Sequence, residues 1–320
     1  MTRGAFLCLN DKKIFCSIKN LLRKVIALKK SSLRLRRLAV SAMCLSIALV
    51  LARLTTFYIP FFGQNGMKVG ISGIFSTLPS FLFGPFYGAA VSGLSDLLGF
   101  VLNPVGAYLP QMTAVVALGG FIRGGLWLLL KNKKAGPLRV AILLFAVLLL
   151  AFGAFNMYAL RHDGVDSAFY DRHEVEAVDT SEMHAVSRMV IERTIKTSSP
   201  SGNLVGYLLT MTWGLLASGA MAALTIVVDF VICRILPERR EKSRFLAVLV
   251  AMLLSGLVVT TLNTVILREV LFESWKMLPF TVVWLPRVIE EIVSACVKSY
   301  FIAALLGAAE KSAAIKNLKK

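Results

Sequence analysis

Acidic residues are few in this chain and histidine is rarer still. Its 320 residues hold 18 Asp and Glu against 36 Lys and Arg, and only three histidines. His162, His173 and His184 all fall in one polar stretch, so the apolar segments hold no imidazole to ligate a metal or act as a base. The zinc-protease spacing HExxH is missing, and so is the phosphate-cradling GxxxxGK[ST], which leaves any use of ATP to another polypeptide. Carboxylates inside the apolar segments, Asp96, Asp229, Glu290 and Glu291, are scattered rather than set at helical spacing for Mg²⁺. Cysteine is absent from 161–202, where Cys8 and Cys16 precede the apolar part and Cys44, Cys233 and Cys296 lie in or beside it as free thiols. These absences argue against an enzyme, a disulfide framework and a resident metal or cofactor.

What the chain has in abundance is apolar length. Hydrophobic residues make up 57% of it and the mean hydropathy is +0.72, which points to an all-α integral membrane protein. A spanning helix takes about 20 apolar residues, and the sequence offers eight candidate spans at roughly 38–59, 69–83, 85–102, 108–130, 138–160, 204–235, 245–268 and 279–309. The run beginning at Leu38 follows KKSSLRLRR and lacks a small-residue cleavage site, so it reads as a retained first span. Phe83-Gly84-Pro85 is too short for anything but a tight antiparallel hairpin between the second and third spans.

Charge sets the expected orientation. Lys and Arg are held on the cytoplasmic side, and basic clusters lie at Arg34, Arg36 and Arg37, at Lys131, Lys133 and Lys134, and at Arg239, Arg240, Lys242 and Arg244. Eight spans with both termini inside satisfy all three, with Lys316, Lys319 and Lys320 also inside. The net charge of +18 is then topological in origin and does not call for nucleic acid. Residues 1–37 form a basic N-terminal extension that interleaves cations with apolar residues and suits an anionic lipid surface. The one acidic loop, 161–202, belongs outside; it carries an expected amphipathic helix near 178–196, and its His173-Glu174 beside Asp171 lacks a ligand spacing specific enough to assign a metal.

Polar groups within the apolar part mark the candidate site. An ionisable side chain in hydrocarbon costs roughly 3 kcal/mol or more, so Asp96 in SGLSDLLGF is expected to face a protein interior or a water-filled cavity. Cations stand at the outward ends of spans: Arg53 in the first, Lys68 at the start of the second, Arg268 at the end of the seventh and Arg287 in the eighth. They suit an anionic ligand, or they snorkel to headgroups, the simpler reading for Arg268 beside Glu269. Phe57, Tyr108 and Trp284 stand near them as ring-stacking or interfacial aromatics.

The stretch LPSFLFGPFYGAAVSGLSDLLGFVLNPVGAYLPQMTAVVALGGFIRGG resembles the central signature of the folate-family substrate-binding subunits, the S components, of energy-coupling factor (ECF) transporters. LSIALVLARL from Leu45 is similar to that family's first helix, and Leu262-Asn263-Thr264 and LPRVIEEIV from Leu285 to its closing helices. The resemblance implies a bacterial plasma-membrane protein with a six-helix S-component core. That core is built from 38–131 and 245–320 and interrupted by a 132–244 insertion with two extra spans. It further implies capture of a vitamin, folate or reduced folate, and docking on an energising module of a transmembrane T component and two ATPase subunits. Another vitamin or cofactor precursor is the near alternative, and a membrane enzyme or sensor the distant one. On this resemblance Ala42 and Ser46 stand at the small-xxx-small docking motif, where close helix approach depends on packing. A pterin edge would be read by Asp96, Asn103 or Asn263, its rings stacked by Trp284, Tyr108 or Phe57, and its carboxylates held by Arg53, Lys68 or Arg287.

Overall fold

The computed structural model describes residues 33–55, 57–61, 64–104, 106–165, 179–195, 210–235, 244–276 and 280–311. Most of the basic N-terminal extension with Cys8 and Cys16, the cations Arg239, Arg240 and Lys242, the Asp171, His173 and Glu174 group and the C-terminal lysines lie outside the described residues.

Helix α1, Leu33–Thr55, leads into an antiparallel hairpin of β1, Phe57–Phe61, and β2, Gln64–Val69. Short α2, Gly73–Phe83, turns through Gly84 into α3, Pro85–Leu102, and α4 follows as Pro110–Leu130. Helix α5 is Ala135–His162; α6, Ala185–Arg188, runs on as the π-helical stretch Met189–Ile195. A π-helical turn at Thr210–Gly214 opens α7, Leu215–Ile235, and another, Leu267–Leu271, closes α8, Arg244–Ile266. One turn, α9, Glu273–Lys276, precedes α10, Phe280–Lys311. Prolines open α3 and α4 at positions whose N–H has no intrahelical partner in any case. Gly84, at φ 96°, supplies the left-handed backbone that lets α2 stop and α3 start without a loop.

Seven of these helices, α1, α3, α4, α5, α7, α8 and α10, are long and apolar enough to cross a membrane, so the chain is a multi-pass, essentially all-α membrane protein. The expectation of eight full spans is corrected at the second. The first helix stops at Thr55 rather than 59, the hairpin occupies 57–69, and α2 has 11 residues, about 16 Å of helix against roughly 30 Å of hydrocarbon. The physical cause is the Gln64-Asn65-Gly66 run at the start of β2, which interrupts an otherwise apolar sequence and whose Asn65 and Gly66 are poor in helix propensity. Lys68 therefore stands on β2, opposite Tyr58, and does not open a helix.

Helix α8 is the centre of the bundle, 61% buried across its spanning window against 17–33% for the others. Its sequence explains this, since it is apolar on every side. Cys44 of α1, Ile74 and Phe81 of α2, Trp127 of α4, Ile142 of α5 and Ile292 of α10 join it in one core. The outer helices leave Leu54, Phe86, Leu148 and Ile235 more than two-thirds exposed, as suits side chains solvated by lipid.

Small residues set the closest approaches, as expected where lipid removes any hydrophobic drive between helices. Gly88 of α3 meets Gly120 of α4 backbone to backbone: a Cβ on Gly88 would lie 2.6 Å from the Gly120 carbonyl oxygen, and one on Gly124 2.6 Å from Pro85 Cα. On the other side of α4, Gly119 receives Val259 of α8. Helices α5 and α7 interlock similarly through Gly153 against Leu216 and Gly219 against Leu150. Nearer their other ends Arg139 Nε donates to Asp229 Oδ2 at 2.8 Å, and Arg139 Nη2 approaches Cys233 Sγ at 3.1 Å. Cys44 and Cys296 are buried free thiols, and Cys233 is buried beside Arg139.

Candidate functional site

Three polar arrangements lie within the helices that surround α8. The first joins α3 to α4. Asp96 Oδ2 accepts a 2.6 Å hydrogen bond from Thr113 Oγ1, which lies 3.1 Å from the Tyr108 hydroxyl, and Tyr108 packs on Phe100 with ring centroids 5.0 Å apart. Asp96 is thus half-buried between two helices and tied to a half-exposed phenol. Asn103 sits next to this chain as the residue that ends α3, its backbone N–H donating to Gly99 and Phe100 carbonyls and its side chain exposed.

The second arrangement joins α8 to α10. Trp284 Nε1 donates to Thr261 Oγ1 at 2.9 Å, and the indole stacks on Phe280 with centroids 6.1 Å apart. One turn further along α10, Arg287 has a buried Nη1 with no hydrogen-bond partner, and Asn263 on α8 has a buried Oδ1 in the same state. Buried polar atoms are normally paired, and one left over invites a ligand or a water. Pro286 precedes the arginine within the helix.

The third arrangement is a charged cluster at mid-helix that the sequence reading did not assemble. Arg123 of α4 donates from Nε to Ser255 Oγ of α8 at 3.2 Å. Glu291 of α10 occupies the space beside Gly256, where any Cβ would overlap its carboxylate. The cations acting on Glu291 are Lys298 and Arg123, and those acting on Glu290 are Lys298 and Arg287. Lys298 in turn lies 3.4 Å from where a Cβ on Gly73 would be, so α2 enters the bundle beside it. With both carboxylates ionised, the three cations Arg123, Arg287 and Lys298 still outnumber them.

The remaining expected residues are placed apart from these groups. Arg53 is exposed two residues before α1 ends. Arg268 is satisfied locally by carbonyls of Trp275 and Lys276 and by Glu269. Ala42 and Ser46 lie on an exposed face of α1 with Met43, Ile47 and Val50, whereas the inward face of that helix is Ser41, Cys44 and Ala48. Sequence reasoning missed Thr113, Thr261, Ser255, Arg123 and Lys298. Only the last two left a trace, as cations inside apolar windows.

The expected amphipathic helix near 178–196 is present as the shorter 185–195 stretch, docked where Met189 meets Thr281 at the start of α10. That contact, with the packing of Met112 on Leu267 and Val283, gathers the start of α4, the finish of α8 and the start of α10 at one end of the bundle, here the loop end.

Residues 36–163, from α1 through the end of α5, match the family model described as ECF transporter, substrate-specific component. The match therefore takes in α5, one of the two helices that the sequence reading placed in an insertion. Comparison with curated proteins and with solved structures finds no match.

Proposed function

We propose that this chain is the substrate-capturing subunit of an ECF transporter in a bacterial plasma membrane, and that its ligand is a vitamin with flat rings and an anionic tail, folate or reduced folate. Beyond the partial family match, the observation that carries this reading is the unpartnered Arg287 Nη1 beside a surplus of half-buried cations. A carboxylate tail would take charge-assisted hydrogen bonds from that guanidinium. The Trp284 and Phe280 pair offers a stacking surface one turn away, and Asn263 Oδ1 accepts from a ring amine. Asp96, with Tyr108 through Thr113, offers a second place to read a heterocycle edge, and Asn103 borders it.

The subunit captures and reorients its ligand without chemistry of its own. ATP would be hydrolysed by two ATPase subunits bound through a transmembrane T component, and the Ala42 and Ser46 face is the surface offered to that component. Helices α5 and α7 form the pair that accompanies the vitamin-binding helices; with α2 as a short eighth crossing between the hairpin and α3, 161–202 lies outside and both termini inside.

The test is titration of the purified chain with folate, reduced folates and a panel of other vitamins. Saturable binding of a folate, weakened at least about tenfold by Arg287→Ala and little changed by Arg53→Ala, is expected. Binding of a different vitamin with the same Arg287 dependence keeps the transport reading and replaces the ligand; no saturable ligand in the panel removes both.

A further inference from the structure

A second site is assembled at the loop end, where α5 finishes and α6 begins. His162 is the last residue of α5 and Asp163 follows it, while His184 caps the start of α6, 21 residues further on. His162 Nδ1 lies 3.2 Å and His184 Nδ1 3.0 Å from the same oxygen, Asp163 Oδ1, and the ligand atoms of the three residues all fall within 4.8 Å of one another. Two imidazoles and one carboxylate are the donor set of many zinc sites. In a tetrahedral site with ligand bonds near 2.0–2.1 Å, neighbouring donor atoms stand about 3.3 Å apart. Two of the three edges already have nearly that length, and the third is no longer than 4.8 Å.

The carboxylate is firmly held. The His184 backbone N–H donates to Asp163 Oδ2 at 2.9 Å, and the Ser187 hydroxyl, which also faces Ala159 O at 3.3 Å, lies beside it. Burial opposes ionisation of Asp163, but Ser187, His184 and His162 outweigh it and hold the carboxyl below its usual range. Its side chain is 6% exposed, whereas those of His162 and His184 are 60% and 32% exposed, so one side of the cluster is open to solvent. The rings are braced as well: Tyr158 packs against both histidines, with centroids 5.8 Å and 6.1 Å away, and the imidazoles meet edge to face at 5.2 Å.

We propose that His162, Asp163 and His184 bind a divalent metal ion of the zinc type, with water as the fourth ligand, clasping the start of α6 to the end of α5. Binding takes the Nδ1 lone pair of each imidazole, so a neutral ring that carries its proton on Nδ1 shifts it to Nε2, and a protonated ring loses its Nδ1 proton to solvent. The clasp rests on no part of the transport reading, since its residues lie apart from Arg287, Asn263 and Asp96.

The test uses the full chain in detergent, purified with a tag free of histidine, stripped by a chelator and titrated with ZnCl₂ alone. Saturable uptake of one equivalent, a rise in melting temperature and tetrahedral visible bands with Co²⁺ in its place are expected. His162→Ala, on the exposed side of the cluster, is expected to weaken uptake at least about tenfold, a scale on which even partners outside the ligand shell act, and the His162→Ala/His184→Ala pair to abolish it. Equal uptake by wild type and the double variant, or no saturable uptake by folded wild type, would overturn the proposal and leave the three residues a hydrogen-bonded clasp without metal.

Discussion

Gly256 of α8 lends its missing side chain to Glu291 of α10: the carboxylate lies where a Cβ would be. Gly256→Ala is therefore expected to push Glu291 away from Arg123 and Lys298 and to destabilise the protein by about 1–3 kcal/mol, as overpacking does. Gly125→Ala, on α4 with open space around it, serves as the control and should be neutral or slightly stabilising through helix propensity. Melting in detergent separates the two; equal effects would mean that Gly256 is not packed as described.

Arg139 and Asp229 tie α5 to α7 at 2.8 Å, and Asp229 is 2% exposed. Arg139→Ala takes the guanidinium from a buried carboxylate and is expected to cost about 3 kcal/mol. Replacing both residues by Leu should recover much of that loss, because the cost lies in the charge left behind and not in the missing bond. Melting temperatures of the two singles and the double close the cycle, and additive effects would deny the coupling.

Helix α1 has two faces lined by small residues, and they should answer differently to the same substitution. Ala48 is 1% exposed, so Ala48→Leu is expected to lower the melting temperature of the isolated subunit. Ala42 is exposed, so Ala42→Leu should leave melting and ligand binding unchanged while weakening recovery of an ATPase-containing complex on gentle co-purification. Loss of stability with Ala42→Leu would place that face inside the subunit.

Protease added to intact cells is expected to cut within 161–202 and to leave the basic connection between α7 and α8 whole. Cleavage of 161–202 only in inverted vesicles would reverse the orientation.

How the sequence announced some of this and hid the rest follows from the range of each interaction. Phe83-Gly84-Pro85 acts within a few residues, and the structure has that turn where the sequence puts it. The hairpin at 57–69 was masked because Phe57 to Phe62 is as apolar as a helix end, and the turn residues after it weighed less than the hydropathy. Asp96 stood out as a lone acid, yet its partner, Thr113, lies on the next helix and carries no charge to betray it. Arg123, Glu291 and Lys298 come from α4 and α10, and nothing local says that their charges act on one another. His162 and His184 likewise needed the chain to double back before Asp163 could lie between them.

The glycine contact between α3 and α4 has a mechanical consequence. Where Gly88 meets Gly120, and Pro85 meets Gly124, backbone lies directly on backbone. Only the small side chains of Ser80 and Ser92 border the contact, so the two helices form one stiff plate carrying Asp96 and Thr113 with it. Motion that admits or releases a ligand must then be taken up at seams made of side chains, and the seam where Trp284 hangs on Thr261 has the compliance that the plate lacks.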